Sequence, residues 1–419
     1  MTLTMLTLTS CIQNKNQESI SSNSSVSNNA EIQPKSIELV TKKNYKINDE
    51  IPTGNNADII AKQGELTAKA FDRPEATLLG TDRKGNIIIF NSDTEDIERV
   101  DLDGNISIVM NIMQGRKNHV YTIKKRGDIV AWSECPHADQ DPATDLTNGA
   151  DWALYYANLK TKTITKVDEY RPGTVVPENA QYRYLCPNQI SIASDYITYC
   201  SWEHNPDGEV TSVIKLYTMS TGKLEILDYL NEDLTNHAFG NPNVSGNKVV
   251  WCKAVVNPDG TYTGYSYLYD IKSKVKAKLV TDENIINPRI SGNYIYAEGQ
   301  PNKTFYDAEV CIYDIDKNEW IYKINNGYSV YKPREDYYLT DLQEYGSYLL
   351  WSSGIPWGIT IFNQKDNKLY NLIPPPDGVK VDEIKYPHLL DGGLLVWYDQ
   401  KYGEIVGKDK FTFRYILLK

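Results

Sequence analysis

Asn287-Pro288-Arg289-Ile290-Ser291-Gly292-Asn293-Tyr294-Ile295-Tyr296 reads as a short strand, a tight turn and a second strand. Val310-Cys311-Ile312-Tyr313-Asp314-Ile315 then reads as a third strand. Asp316-Lys317-Asn318 is a turn, and Glu319-Trp320-Ile321-Tyr322-Lys323-Ile324 a fourth strand. β-Branched and aromatic residues fit a pleated surface, while Gly, Asn and Asp tolerate tight turns. The stretch is one four-stranded meander.

The second-strand phrase of this meander recurs along the chain. Its seven copies begin at Asn86, Asp128, Asp195, Asn247, Asn293, Ser347 and Gly393, each after a turn and each running into apolar residues near Trp, Tyr or Phe. Third strands recur as Ala153–Leu159, Ile214–Met219 and Ser266–Ile271. Strand-rich repeats of this length are blades of a β-propeller, because a single blade cannot bury both of its faces alone. The expected fold is all-β: a seven-bladed β-propeller of four-stranded antiparallel blades, spanning residues 36–419 as one domain. The last unit ends at its third strand, Phe411–Leu418. Ser36-Ile37-Glu38-Leu39-Val40-Thr41 has the character to supply the missing fourth strand and close the ring.

The order "turn, apolar-apolar-Trp, Leu-Tyr-Asp-Ile, Lys-Leu-Val-Thr", as in Val249–Trp251, Leu268–Ile271 and Lys278–Thr281, resembles the repeats of TolB-type β-propellers over roughly residues 76–419. Such propellers host binding proteins and enzymes alike, so the resemblance implies a fold and not an activity. Its best-known members are six-bladed partners of a cell-envelope complex, and the seven units here do not imply that partnership.

Residues 1–35 stand apart from the repeat. Leu8-Thr9-Ser10-Cys11 resembles a bacterial lipobox, which implies diacylglycerol attachment at Cys11 and removal of residues 1–10. Residues 12–35 are rich in Ser and Asn, the composition of a solvated tether. Met1 to Ser10 lacks the basic n-region of a secretory signal, so a start further upstream is expected. The resulting expectation is a monomeric, extracytoplasmic propeller held to a bacterial membrane only by its lipid.

Composition narrows the partners. A net charge of −11, with no basic run longer than Lys124-Lys125-Arg126, disfavours nucleic acid. No apolar stretch approaches the length of a transmembrane helix. Cys135 and Cys186 flank loops and form the plausible bridge, whereas Cys200, Cys252 and Cys311 read as small buried hydrophobes. No cofactor is called for.

In a meander, first-to-second and third-to-fourth turns share one face, and the remaining connections share the other. The first class is short here, and the second includes residues 133–152, 168–187 and 325–338. One face is trimmed and the other elaborated, and binding sites favour such loops. The elaborated face carries Glu134, His137, Glu203, His204 and His237, candidate acids and bases should the chain be a polysaccharide lyase or glycoside hydrolase. It carries Trp152, Trp202 and Trp357 as aromatic platforms. Arg183, Arg289 and Arg334 lie near inner-strand starts as anchors for carboxylates. Asp139, Asp141 and Asp145 have a spacing compatible with Ca²⁺, without the Gly and distal Glu of an EF-hand loop. No nucleophile elbow or phosphate-binding loop occurs. The expected function is binding of an envelope protein, peptide or glycan through this face without catalysis.

Overall fold

The computed structural model describes residues 35–47, 50–65, 76–101, 103–113, 119–135, 152–171, 173–180, 186–187, 189–259, 261–281, 284–299, 309–325, 339–353, 358–373, 383–401 and 410–419. Pro34–Lys419 forms one compact unit. Residues 1–33, with Cys11 and the Ser/Asn tether, lie outside the described residues.

Seven sheets follow one another along the chain. Blade 1 comprises residues 76–111, blade 2 residues 119–169, blade 3 residues 190–229 and blade 4 residues 237–280. Blade 5 comprises residues 285–325, blade 6 residues 339–373 and blade 7 residues 383–418. Each is an antiparallel meander from an inner to an outer strand. Blade 5 follows the sequence reading closely, with strands Ile285–Ser291, Tyr294–Gly299, Glu309–Asp314 and Glu319–Asn325.

The repeated residues have repeated tasks. Gly246 and Gly292 take positive φ in the first hairpin turn, where a Cβ is disfavoured. The following Asn donates to the Asp that ends the third strand: Asn247 Nδ2 to Asp270 at 3.0 Å, and Asn293 Nδ2 to Asp314 at 2.9 Å. The same Asp accepts the next turn's backbone, from Ser273 N at 2.8 Å and Lys317 N at 3.2 Å. One side chain therefore ties both turns of a blade. The aromatic that closes each strand phrase (Phe90, Trp132, Tyr199, Trp251, Tyr296, Trp351 and Trp397) is buried between blades.

Seven apolar clusters fill the seven junctions between neighbouring blades. The junction that closes the ring joins Ile87, Ile89 and Val100 of blade 1 to Leu394, Val396 and Tyr415 of blade 7. Inner strands are clasped around the trimmed face as well. Val244 N donates to Ser191 Oγ, Ile290 N to Asn243 Oδ1 and Leu389 N to Gln343 Oε1. The Lys125 ammonium is buried against Asp391 and donates to the Thr81 carbonyl at 2.7 Å, linking blades 2, 7 and 1.

Closure does come from an N-terminal strand, but not from Ser36–Thr41. Among the described residues, three strands precede blade 1: β1 (Lys35–Val40), β2 (Lys42–Ile47) and β3 (Ile60–Glu65). β3 is the fourth strand of blade 7, antiparallel to Lys410–Leu418. β1 lies parallel to Val275–Val280 as an extra outermost strand on blade 4, and β2 does the same to Glu319–Asn325 on blade 5. Between β2 and β3, Gly54 N donates to Leu369 O at 2.8 Å and Leu369 N to Pro52 O at 2.9 Å on blade 6. Residues 35–65 are thus a strap over four consecutive blades. Its apolar side chains enter the junctions beneath: Leu39 and Tyr45 between blades 4 and 5, Ile51 between 5 and 6, Ile59 between 6 and 7.

A chain starting at residue 66 loses β3 together with the buried Ile51 and Ile59. It is expected to melt at least ~10 °C below a chain starting at residue 48, which loses only the largely exposed β1 and β2. Equal melting temperatures would show that the ring does not depend on β3.

Candidate functional site

Second strands pass to third strands at one end of the ring, and among the described residues that end is built largely of paired strand. In blade 3, Tyr196–His204 and Val210–Thr218 stay paired to their tips, leaving only 205–209 as a turn. In blade 4, Lys248–Val256 and Tyr262–Asp270 do the same. In these two blades most of the second-to-third connection is therefore paired strand. Cys200 and Cys252 hold matching mid-strand places, opposite Ile214 and Ser266.

Trp152 and Trp202 are not exposed platforms. They are 3% and 8% exposed and share an apolar cluster with Val176, Ala180, Cys135 and Cys186. Cys135 and Cys186, the pair whose positions made a bridge plausible, form a disulfide. The connection after blade 2 folds over this sector, and burial of two large indoles is the reason for the change of role.

Glu203 is likewise committed. It accepts from Lys215 Nζ at 2.5 Å and Arg171 Nε at 2.7 Å, and Lys215 also donates to Asp168 at 2.6 Å. Asp168 accepts further from the Tyr199 hydroxyl at 2.8 Å. The Lys215 side chain is only 1% exposed. Two carboxylates and two cations neutralise one another between blades 2 and 3, which a buried charge requires. Burial is the largest influence and opposes the Arg171 charge, but the Glu203 hydrogen bond together with the Glu203 and Asp168 charges outweighs it and holds the guanidinium above its ordinary pKa. Burial, then the Asp168 charge, raises Tyr199 well above the usual phenol range, so it remains a donor.

The remaining candidates are spread around the face. Glu134 is fully buried between blades 1 and 2 and accepts from Trp132 Nε1 at 2.9 Å. His204 is exposed at a hairpin tip, its ring 3.0 Å from the Gly208 carbonyl. His237 is half-buried at the start of blade 4, 2.9 Å from the Asp233 carbonyl. Arg289 is half-buried on the inner strand of blade 5, close enough for its charge to be felt at Cys252. His137, Asp139, Asp141, Asp145, Arg183, Arg334 and Trp357 lie outside the described residues. Among the described residues, no group of three or more His, Cys, Asp or Glu is placed to hold a metal.

Asp168, Lys215 and Arg171 were not singled out by the sequence, nor was Glu95. Glu95 is 7% exposed, with positive φ, and burial raises its carboxyl pKa, aided by the Glu134 charge and opposed by His119. Asp168 had a signal in the repeat. Asp228 holds the same place in the next blade's fourth strand and accepts from Trp251 Nε1 at 3.1 Å, as Asp168 does from Tyr199.

The opposite end of the central channel is crossed by side chains. The Arg126 guanidinium of blade 2 lies 4.7 Å from the Tyr345 ring centre of blade 6, a cation–π contact across the ring. Asn243 of blade 4 donates to Glu344 of blade 6 at 3.2 Å, past the intervening blade.

No protein-family model matches the chain, and no curated protein sequence matches it. Solved structures with a similar fold include the oligogalacturonate lyase of Vibrio parahaemolyticus, at 10% identity and TM-score 0.49 over 87% of this chain and 95% of that one. The β-propeller domain of the trilobed protease of Pyrococcus furiosus is 12% identical at TM-score 0.48, over 80% and 97% of the two chains. YCF48, solved bound to D1 peptide, is 10% identical at TM-score 0.46, over 87% and 97%. These are likenesses of fold, and no activity follows from them.

Two measurements test the site's electrostatics. Lys215→Met leaves Asp168 and Glu203 with Arg171 as their one remaining cation, and is expected to cost roughly 3–5 kcal/mol in urea unfolding. A loss below ~1 kcal/mol would show that the network is not a weld. Burial pushes the Cys200 and Cys252 thiols from 9.0 up to about 11. A raised folded value means a contribution fully present below pH 9 and lost as pH rises to about 11. The chain should therefore lose urea resistance across that window more steeply than a Cys200→Ala, Cys252→Ala variant. Identical slopes would contradict this.

Proposed function

We propose that the chain is a non-catalytic binding propeller, working outside the cytoplasm, whose elaborated face receives a protein, peptide or glycan. One observation carries this reading: the channel is crossed at its trimmed end by Arg126 with Tyr345 and Asn243 with Glu344. A ligand using the channel enters from the end where the long connections gather.

The state of the polar groups favours recognition over chemistry. Glu203 is saturated by Lys215 and Arg171, and His204 and His237 contact carbonyls of their own turns. A general acid or base must reach the proton it transfers. The disulfide supports an oxidising compartment. The lipobox-like Leu8–Cys11 and the tether behind it support a lipid-anchored envelope protein.

The test is an array of cell-wall fragments, polysaccharides and envelope-protein peptides, followed by mass spectrometry of each bound ligand. Expected is retention of at least one ligand unchanged in mass. That retention should weaken in a Cys135→Ser, Cys186→Ser variant whose sheet spectrum is preserved. Release of a cleaved product would overturn the non-catalytic reading and favour the lyase or hydrolase alternative.

A further inference from the structure

The strap leaves one outer edge in an unusual state. It covers blades 4, 5 and 6 and completes blade 7. The next blade in the ring is blade 1, whose outer strand is Ile106–Asn111. Among the described residues nothing pairs with its outer edge.

The open edges differ in chemistry. Blade 2 ends in Thr163–Glu169, carrying the Lys166–Glu169 ion pair. Blade 3 ends in Lys223–Tyr229, where Lys223 and Lys274 both hold Glu225. Edge charges of this kind discourage strand addition. Ile106-Ser107-Ile108-Val109-Met110-Asn111 has no charge, and Ile106 and Ile108 are 37% and 66% exposed. An uncharged edge with outward isoleucines is a template for another strand.

The strap shows how an outer strand of this ring takes on another, although the two strands it joins, Val275–Val280 and Glu319–Asn325, carry Lys276, Lys278, Glu319 and Lys323, unlike Ile106–Asn111. β1 and β2 both add in parallel, each beginning with a lysine beside the first residue of its partner strand: Lys35 with Val275, Lys42 with Glu319. A strand added to blade 1 in the same manner begins beside Ile106. The turn just before Ile106 carries Asp101 and Asp103, both exposed or half-exposed, and Asp101 accepts from Asp103 N, Asn105 N and Asn105 Nδ2. The edge is thus continuous with the strap's line of pairing and complementary in charge to a strand that starts with lysine.

We propose that Ile106–Asn111 is a second interaction surface, separate from the long-loop face. It takes an extended segment of a partner protein as an added parallel strand, with a lysine at its start and β-branched residues beside Ile106 and Ile108. The proposal does not depend on what the long-loop face binds.

The probe is a fluorescein-labelled synthetic peptide of residues 35–47, titrated against the full chain and followed by anisotropy. Expected is saturable one-to-one binding, weakened about tenfold or more by Ile108→Lys and by replacing the peptide's first lysine with glutamate. Lys166→Glu on the blade 2 edge should leave it unchanged. Ile108→Lys should melt as the parent does, since the side chain is exposed, which separates a lost edge from a lost fold. No saturable binding overturns the proposal. Binding that survives Ile108→Lys also overturns it, because the peptide would then have displaced the strap on blades 4 and 5. Sedimentation of the parent as a dimer and of Ile108→Lys as a monomer would replace the partner segment with a second copy.

Discussion

Each blade is apolar on both faces, so every blade needs a neighbour on each side, and only a closed ring provides them all. This constraint governs the chain more than any single contact. Burial of each junction contributes in proportion to the apolar area removed from water. The contribution is complete only if blade 7 meets blade 1. Pairing β3 with the C-terminal strand satisfies the constraint by placing both ends of the propeller in one sheet, with Ile60 opposite Leu418 and Lys419 N donating to Ile59 O at 2.9 Å. Opening the ring then requires separating paired strands as well as exposing a junction. The Lys125–Asp391–Thr81 contact adds a polar lock where blades 7, 1 and 2 meet.

Polar groups follow from the same geometry. Between the blades, aromatic N–H and O–H groups and long charged side chains meet in buried positions. Trp251 and Tyr199 each find a carboxylate on the preceding blade, Asp228 and Asp168. Those carboxylates in turn attract Lys276 and Lys215. A charged pair of this kind is weak evidence for net stability, since apolar residues of similar volume do as well. Its clearer consequence is register: Asp168 is satisfied only when blades 2 and 3 sit at one height.

Much of the architecture was legible because it is local and repeated. Turn residues, strand phrases and their count all lie in contiguous sequence, and the closing aromatics Trp132, Trp251 and Trp351 announce the buried second strand. The closing strand was misread for a physical reason. Ser36–Leu39 alternates polar and apolar residues, whereas Ile60-Ala61-Lys62-Gln63-Gly64-Glu65 has little β-propensity. β3 is held by backbone pairing to an apolar partner, and tertiary context overrides propensity there. The site was less legible still. Whether Trp202 is a platform or a core residue depends on Val176, Ala180 and Cys186, which pack against it from the connection after blade 2. Whether Glu203 is an acid or a counter-ion depends on Lys215 and Arg171, which reach it from different segments. Neither fact is contained in a local window.

The two ends of the ring divide the labour, and the division explains why so much is concentrated at the trimmed face. Short turns there bring inner-strand side chains and backbone within reach of the next blade, so clasps such as Ser191–Val244 and Asn243–Ile290 form blade after blade. Residues that cross the channel at the same end, Arg126 with Tyr345 and Asn243 with Glu344, further relate blades that are not neighbours. Loop closure entropy grows only slowly with length. Once the trimmed end fixes the ring, the other end tolerates long connections and extended hairpins at little cost. Clasps between inner strands thus gather at the trimmed face, while the ion network of Asp168, Lys215, Arg171 and Glu203 and the disulfide secure the other, the face on which loops carry function most often.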